Sequence, residues 1–118
     1  MASMPLTVYG IYRARVQFKN CEDARPWIIL SFAEESEAIP HDLLVLAAPL
    51  SSQLDLFDGR RHLLVEKSCA DFPATGLLRS SYVIGDFAKT IPVAAIEKKF
   101  GELTGDLLLR FKAWESGR

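Results

Sequence analysis

From Thr7 to Phe18 the residues alternate: Val8, Gly10, Tyr12, Ala14, Val16 and Phe18 fall on one side, Tyr9, Ile11, Arg13, Arg15 and Gln17 on the other. Successive side chains of a strand point to opposite faces, so a period of two over this length is a β-strand with one buried and one polar face. After a polar loop at 19–24, the run Pro-Trp-Ile-Ile-Leu-Ser-Phe at 26–32 is a strand opened by its proline. An acidic turn with Glu34, Glu35 and Glu37 ends at Pro40. The apolar run 43–48 is a central strand, stopped by Pro49. Residues 50–57 lead into Asp58-Gly59, a pair that tolerates positive φ and favours a hairpin, with 62–65 as the return strand. A loop at 67–76 precedes two more strand candidates, 82–84 and 88–91, separated by Gly85-Asp86.

The period then changes. Pro92, the basic pair Lys98-Lys99 and Gly101 bracket residues 92–100 as a short helix with start and stop signals. Thr104 is an N-cap for a last helix, Asp106 sits in its first turn, and Leu107, Leu108, Phe111 and Trp114 recur at helical spacing as one apolar stripe. Short strands followed by a C-terminal helix predict a mainly β (α+β) chain: a small antiparallel β-barrel with a short helix and a C-terminal α-helix.

At 118 residues the chain suits one domain, 1–118, with surface enough to bury one core. Fourteen Lys and Arg against fifteen Asp and Glu leave a net charge of -1, which excludes a protein that coats nucleic acid by bulk charge but permits a local basic site. Cys21 and Cys69 are too few and too unpatterned for a disulfide scaffold or a zinc site, and read as reduced residues. With neither a signal-peptide pattern nor an apolar run near the roughly 20 residues of a membrane span, a soluble cytoplasmic protein is expected.

His41 and His62 stand apart from other ligand-type residues, and there is no phosphate-binding glycine loop or nucleophile elbow, so neither metal nor cofactor is expected. The remaining polar residues at strand ends are Arg25, Ser51-Ser52-Gln53 and Asp86. Each alone has an ordinary reading: a solvated arginine, a local serine turn, a hairpin aspartate. Arg60, Arg61 and His62 likewise read as a charged turn.

Their order is more specific. An early strand, Arg25-Pro26 opening an apolar strand, and a buried strand ending Ala48-Pro49-Leu50-Ser51-Ser52-Gln53 resemble the MazF/PemK family of toxins. The stretch 81–91, Ser-Tyr-Val-Ile-Gly-Asp-Phe-Ala-Lys-Thr-Ile, is similar to that family's Ser-Tyr-Val-x-x-Asp-Gln-x-Arg/Lys-Thr-Ile segment, and Phe100-Gly101-Glu102-Leu103-Thr104 to its Gly-x-Leu-Ser/Thr lead into the last helix. The likeness runs in order from Val8 to about Trp114. This chain differs in having Gly10-Ile11 where the family has Gly-Asp, Ser51 for the commoner threonine, and Ile84 and Phe87 around the aspartate.

The resemblance implies an SH3-like, PemK-type barrel, a homodimer, and the toxin of a type II toxin–antitoxin pair. It further implies a metal-independent endoribonuclease that cuts single-stranded RNA and is silenced by a cognate antitoxin. Carried over by motif, Arg25, Ser51 and Asp86 are the catalytic candidates, and Ser52, Gln53, Arg79, Tyr82 and Lys89 the RNA-binding ones. The residue types suit that chemistry, because RNA carries its own nucleophile in the 2′-OH. Arg25 would fork onto the phosphate and Ser51 would donate to the developing oxyanion. Asp86 would act as base or position the ribose, and bases would splay against rings such as Tyr82 or Phe87. The products would be a 2′,3′-cyclic phosphate and a 5′-OH. The competing reading is a CcdB-like DNA gyrase inhibitor, or an inactive interaction module on the same barrel, acting through the C-terminal helix.

Overall fold

The computed structural model describes residues 6–18, 21–32 and 44–117. Among them seven strands make one curled antiparallel sheet: β1 (Gly10–Phe18), β2 (Cys21–Phe32), β3 (Leu44–Ser51), β4 (His62–Val65), β5 (Ser81–Ile84), β6 (Lys89–Pro92) and β7 (Ile96–Glu102). One α-helix, α1 (Gly105–Ser116), follows. The strand order is β4-β5-β3-β2-β1-β7, with β6 paired to β3 off this path. The mainly β half-barrel with a C-terminal helix is the architecture that the alternating pattern predicts.

β3 is the hub. Its first half pairs with β6, from Leu44 opposite Pro92 to Ala47 opposite Lys89. Its far side pairs with β2 as far as Trp27 opposite Pro49. Its last residues switch to β5, with Leu50 opposite Val83 and Ser51 opposite Tyr82. Pro49 therefore does not stop the strand as the sequence suggests. It falls at the last β2 pair, where a missing N–H removes little from the ladder.

Three other expectations are corrected. The polar segment before Pro26 is strand from Cys21 onward, with Phe18 opposite Cys21. The short helix expected at 92–100 is a single 3-10 turn at Val93–Ala95 followed by β7. Its residues pair with β1, Tyr12 opposite Lys99 and Gly10 opposite Glu102, and this long-range ladder overrides the local helix signals. Asp58-Gly59 closes no hairpin, since β4 pairs with β5 rather than with the segment before the turn. The Asp58 carbonyl instead accepts from the Arg61 and His62 amides at 3.1 and 2.9 Å.

Apolar residues cover both faces of the sheet. On one, Ile11, Ile28, Ala48, Leu50 and Val83 pack with Leu107 and Phe111 of α1. On the other, Tyr12, Ala14, Trp27, Ile29, Val45, Ala47 and Ile91 form a second cluster. Ile11 belongs to the polar side of the alternation yet is wholly buried, because α1 caps that side of β1. The cap of α1 also differs from expectation. The Thr104 side chain makes no capping bond, and the Asp106 amide donates instead to Oδ2 of Asp71 at 2.9 Å. A carboxylate at a helix N-terminus satisfies an orphan amide and complements the positive dipole end wherever it comes from in the chain.

Candidate functional site

β2 and β3 position the two leading candidates. Beyond the Trp27–Pro49 pair the strands part, and two residues further along each stand Arg25 and Ser51. Side chains alternate along a strand, so both share the face of Trp27 and Pro49 and stand across adjacent strands. Arg25 is half-buried, with its Nε shielded from solvent. Ser51 Oγ accepts the Gln53 amide at 3.2 Å, which leaves its O–H as a donor. The ordinary serine turn and the functional placement thus coexist.

Tyr82, opposite Ser51 on β5, extends the row on that face. It was expected to offer its ring to a base, but only 2% of it is exposed. The ring stacks on His62 with centroids 4.7 Å apart and packs on Phe57 at 5.7 Å. A residue in a β-strand between two partners has little freedom to turn its ring outward, whereas Phe87, the other candidate ring, is 44% exposed. His62 Nδ1 accepts the Asp58 amide at 3.0 Å, which places the ring proton of the neutral imidazole on Nε2.

The opposite face carries a different group. Ser52 and Arg79 line a cavity of about 320 Å³ with Pro26, Ser81, Leu77 and Phe100. Gly76 also borders it, at φ 71, and a Cβ there would lie 2.0 Å from the Phe100 carbonyl oxygen. Gln53 is exposed at the start of the Leu54–Leu56 turn. The eight candidates therefore do not converge on one point. Arg25, Ser51 and Tyr82 share one face, and Ser52 and Arg79 the other.

Asp86 and Lys89 lie further off. Lys89 is exposed opposite Ala47, four residues from Ser51 along β3, which is about 13 Å at 3.3 Å per residue. Asp86, in the turn Gly85–Phe87, takes both Nε, at 2.7 Å, and Nη2 of Arg61 on its Oδ2. Sequence reasoning missed this pairing, because Arg61 is 25 residues away and only the β4–β5 register brings the two together. The arginines of β1 are also engaged, Arg13 and Arg15 reaching Glu97 Oε1 at 3.4 and 4.0 Å. Among the described residues no three His, Cys, Asp or Glu gather as a metal-binding group, and no helix is long and apolar enough to cross a membrane.

No protein-family profile matches the sequence, and no curated protein matches it. Among solved structures, the Mycobacterium tuberculosis toxin MazF-mt6 superposes with a TM-score of 0.63 over 92% of this chain and 93% of that one, at 24% identity. Strand order, curled sheet and closing helix together give this chain the MazF-type fold.

Proposed function

We propose that this protein is the toxin of a toxin–antitoxin pair and a metal-independent endoribonuclease acting on single-stranded RNA. The observation that carries the reading is the placement of Arg25 and Ser51 across adjacent strands on one face, in a fold like that of a toxin named MazF. A guanidinium and a hydroxyl donor on the same face of adjacent strands can together take an anion. The planar fork of Arg25 grips two phosphate oxygens, and the Ser51 O–H donates to the oxygen on which charge develops. The ribose 2′-OH gives up its proton to a base as it attacks the adjacent phosphorus, the P–O5′ bond breaks, and the departing O5′ takes up a proton, leaving a 2′,3′-cyclic phosphate and a 5′-OH. Asp86, the motif's candidate for base or ribose-positioning group, is held by Arg61 in the turn after β5, outside this pair of donors.

Phe87, in the turn before β6, and Lys89, at the start of β6, extend the RNA path as an exposed ring for stacking and a cation for a phosphate. Ser52 and Arg79, at the cavity on the opposite face, and the exposed Gln53 hold the strand where it leaves this face. A second copy of the chain and a cognate antitoxin, laid over the Arg25–Ser51 face, complete the working unit. The net charge of -1 fits a short RNA footprint with a shallow salt dependence.

The test is cleavage of a long single-stranded RNA in EDTA by the wild type, Arg25→Ala and Ser51→Ala, with end-group analysis of the fragments. Loss of a preorganised oxyanion donor lowers turnover by about 10²–10³, and both variants should fall at least that far while melting like the wild type. Absence of wild-type cleavage, or equal cleavage by Arg25→Ala, refutes the reading.

A further inference from the structure

An open pocket apart from the Arg25–Ser51 face lies where the β4 turn, the turn after β5 and the end of α1 meet. It measures about 480 Å³ and is lined by Arg60, Arg61, Asp86, Ala113, Trp114 and Gly117. Three features define its chemistry. Trp114 is half-buried, with its ring braced by Phe111 at a centroid distance of 5.4 Å, and so offers a fixed aromatic wall. Arg61 is held in place by Asp86. The Arg60 guanidinium is exposed and makes no hydrogen bond or ion pair among the described residues, only its backbone amide being engaged, by Asp58.

Charge at the space follows from this arrangement. Asp86 is the one carboxylate in the lining and is neutralised by Arg61, so Arg60 leaves a net positive charge. Glu115 on α1 is directed elsewhere, accepting the Tyr9 hydroxyl at 3.1 Å. The negative end of the helix dipole is partly quenched too, because the Gly117 amide donates to the Ala113 and Glu115 carbonyls. A rigid indole beside an unengaged guanidinium recognises a planar base joined to a phosphate, since every base has a π-face and arginine forks onto phosphate oxygens.

We infer that this space is a nucleotide-binding site in which a base lies on Trp114 and its phosphate meets Arg60. The site is separate from the Arg25–Ser51 centre and does not depend on RNA being cut there. The occupant is a free nucleotide or one residue of an RNA strand.

Tryptophan fluorescence reads the site directly, because Trp27 is only 1% exposed and insulated from solutes. The wild-type protein is titrated with AMP, UMP, a single-stranded hexanucleotide with 2′-O-methyl riboses, and inorganic phosphate. Saturable quenching by a nucleotide but not by phosphate is expected, and it should vanish in Trp114→Phe. Arg60→Ala should weaken binding by about tenfold, the order expected for one charged contact. A mononucleotide binding as tightly as the hexanucleotide identifies a free-nucleotide site, and a much tighter hexanucleotide identifies a strand subsite. No quenching by any nucleotide at 10 mM, or quenching unaltered by Arg60→Ala, overturns the inference. Arg25→Ala separates the two questions, since it should abolish RNA cleavage and leave quenching unchanged.

Discussion

The seam between β7 and the loop that precedes β5 gives the sharpest test of the packing. Gly76 lies there against the backbone of Phe100, and Gly101 against that of Ala74 and Thr75. A Cβ on Gly101 would lie 2.1 Å from the Ala74 carbonyl oxygen, and one on Gly76 2.0 Å from that of Phe100. Neither obstacle is a flexible side-chain end, so relief requires the loop to lift from β7. Overpacking of this kind costs about 1–3 kcal/mol. Gly76 also sits at φ 71, where an L side chain adds about 1–2 kcal/mol. With 118 residues at an unfolding entropy of about 2.1 cal/mol/K each, 1 kcal/mol corresponds to about 4 °C in melting temperature. Gly101→Ala should therefore melt about 4–12 °C below the wild type, and Gly76→Ala about 8–20 °C below. Gly59→Ala is the control, since its nearest neighbours are ring atoms of Phe57 at 3.8 and 3.9 Å, and it should stay within about 2 °C of the wild type. Differential scanning calorimetry of the three variants decides the matter. Melting of Gly76→Ala and Gly101→Ala within 2 °C of the wild type would show that the loop does not lie against β7 as described.

Two further predictions concern α1. Asp71→Ala removes the carboxylate that caps the helix and should destabilise the protein by about 1 kcal/mol, whereas Thr104→Ala, which removes no capping bond, should have a much smaller effect in the same urea titration. The Tyr9 hydroxyl is held above its ordinary 10.0 by burial and then by the charge and hydrogen bond of Glu115. A group whose folded pKa is raised gives stability that is complete below the unfolded value and lost as pH climbs through the folded one. The wild type should thus lose stability above about pH 10 more steeply than Tyr9→Phe, as followed by thermal melts from pH 8 to 11.

How far these features could be read from the chain depends on how local their causes are. The alternation through Tyr12, Ala14 and Val16 and the stripe of Leu107, Phe111 and Trp114 are imposed by short-range geometry and both reappear in the structure, although the strand begins at Gly10 and Val8 lies in the turn before it. Residues 92–100 carry local helix signals, yet they form β7 because β1 offers a ladder from far away in the chain. The Asp71 cap fails to show for the same reason, its partner amide standing 35 residues on. At the site, motif order singled out Arg25 and Ser51 individually. Their shared face follows from where β3 leaves β2, a register that no spacing in the sequence expresses. The burial of Tyr82 under His62 and Phe57 likewise needs β4 in place.

The packing of α1 also bears on when the protein becomes competent during its own synthesis. A helix of 12 residues has little stability alone, since isolated helices shorter than about 12–15 residues are marginal in water. It exists because Leu107 and Phe111 close over Ile11, Leu50 and Val83, and its first turn needs Asp71, already 35 residues behind. While the ribosome is still adding residues up to Phe111, that face of the sheet is an open apolar surface. The nascent chain therefore closes this core only once Phe111 has left the ribosome, however early the strands have paired.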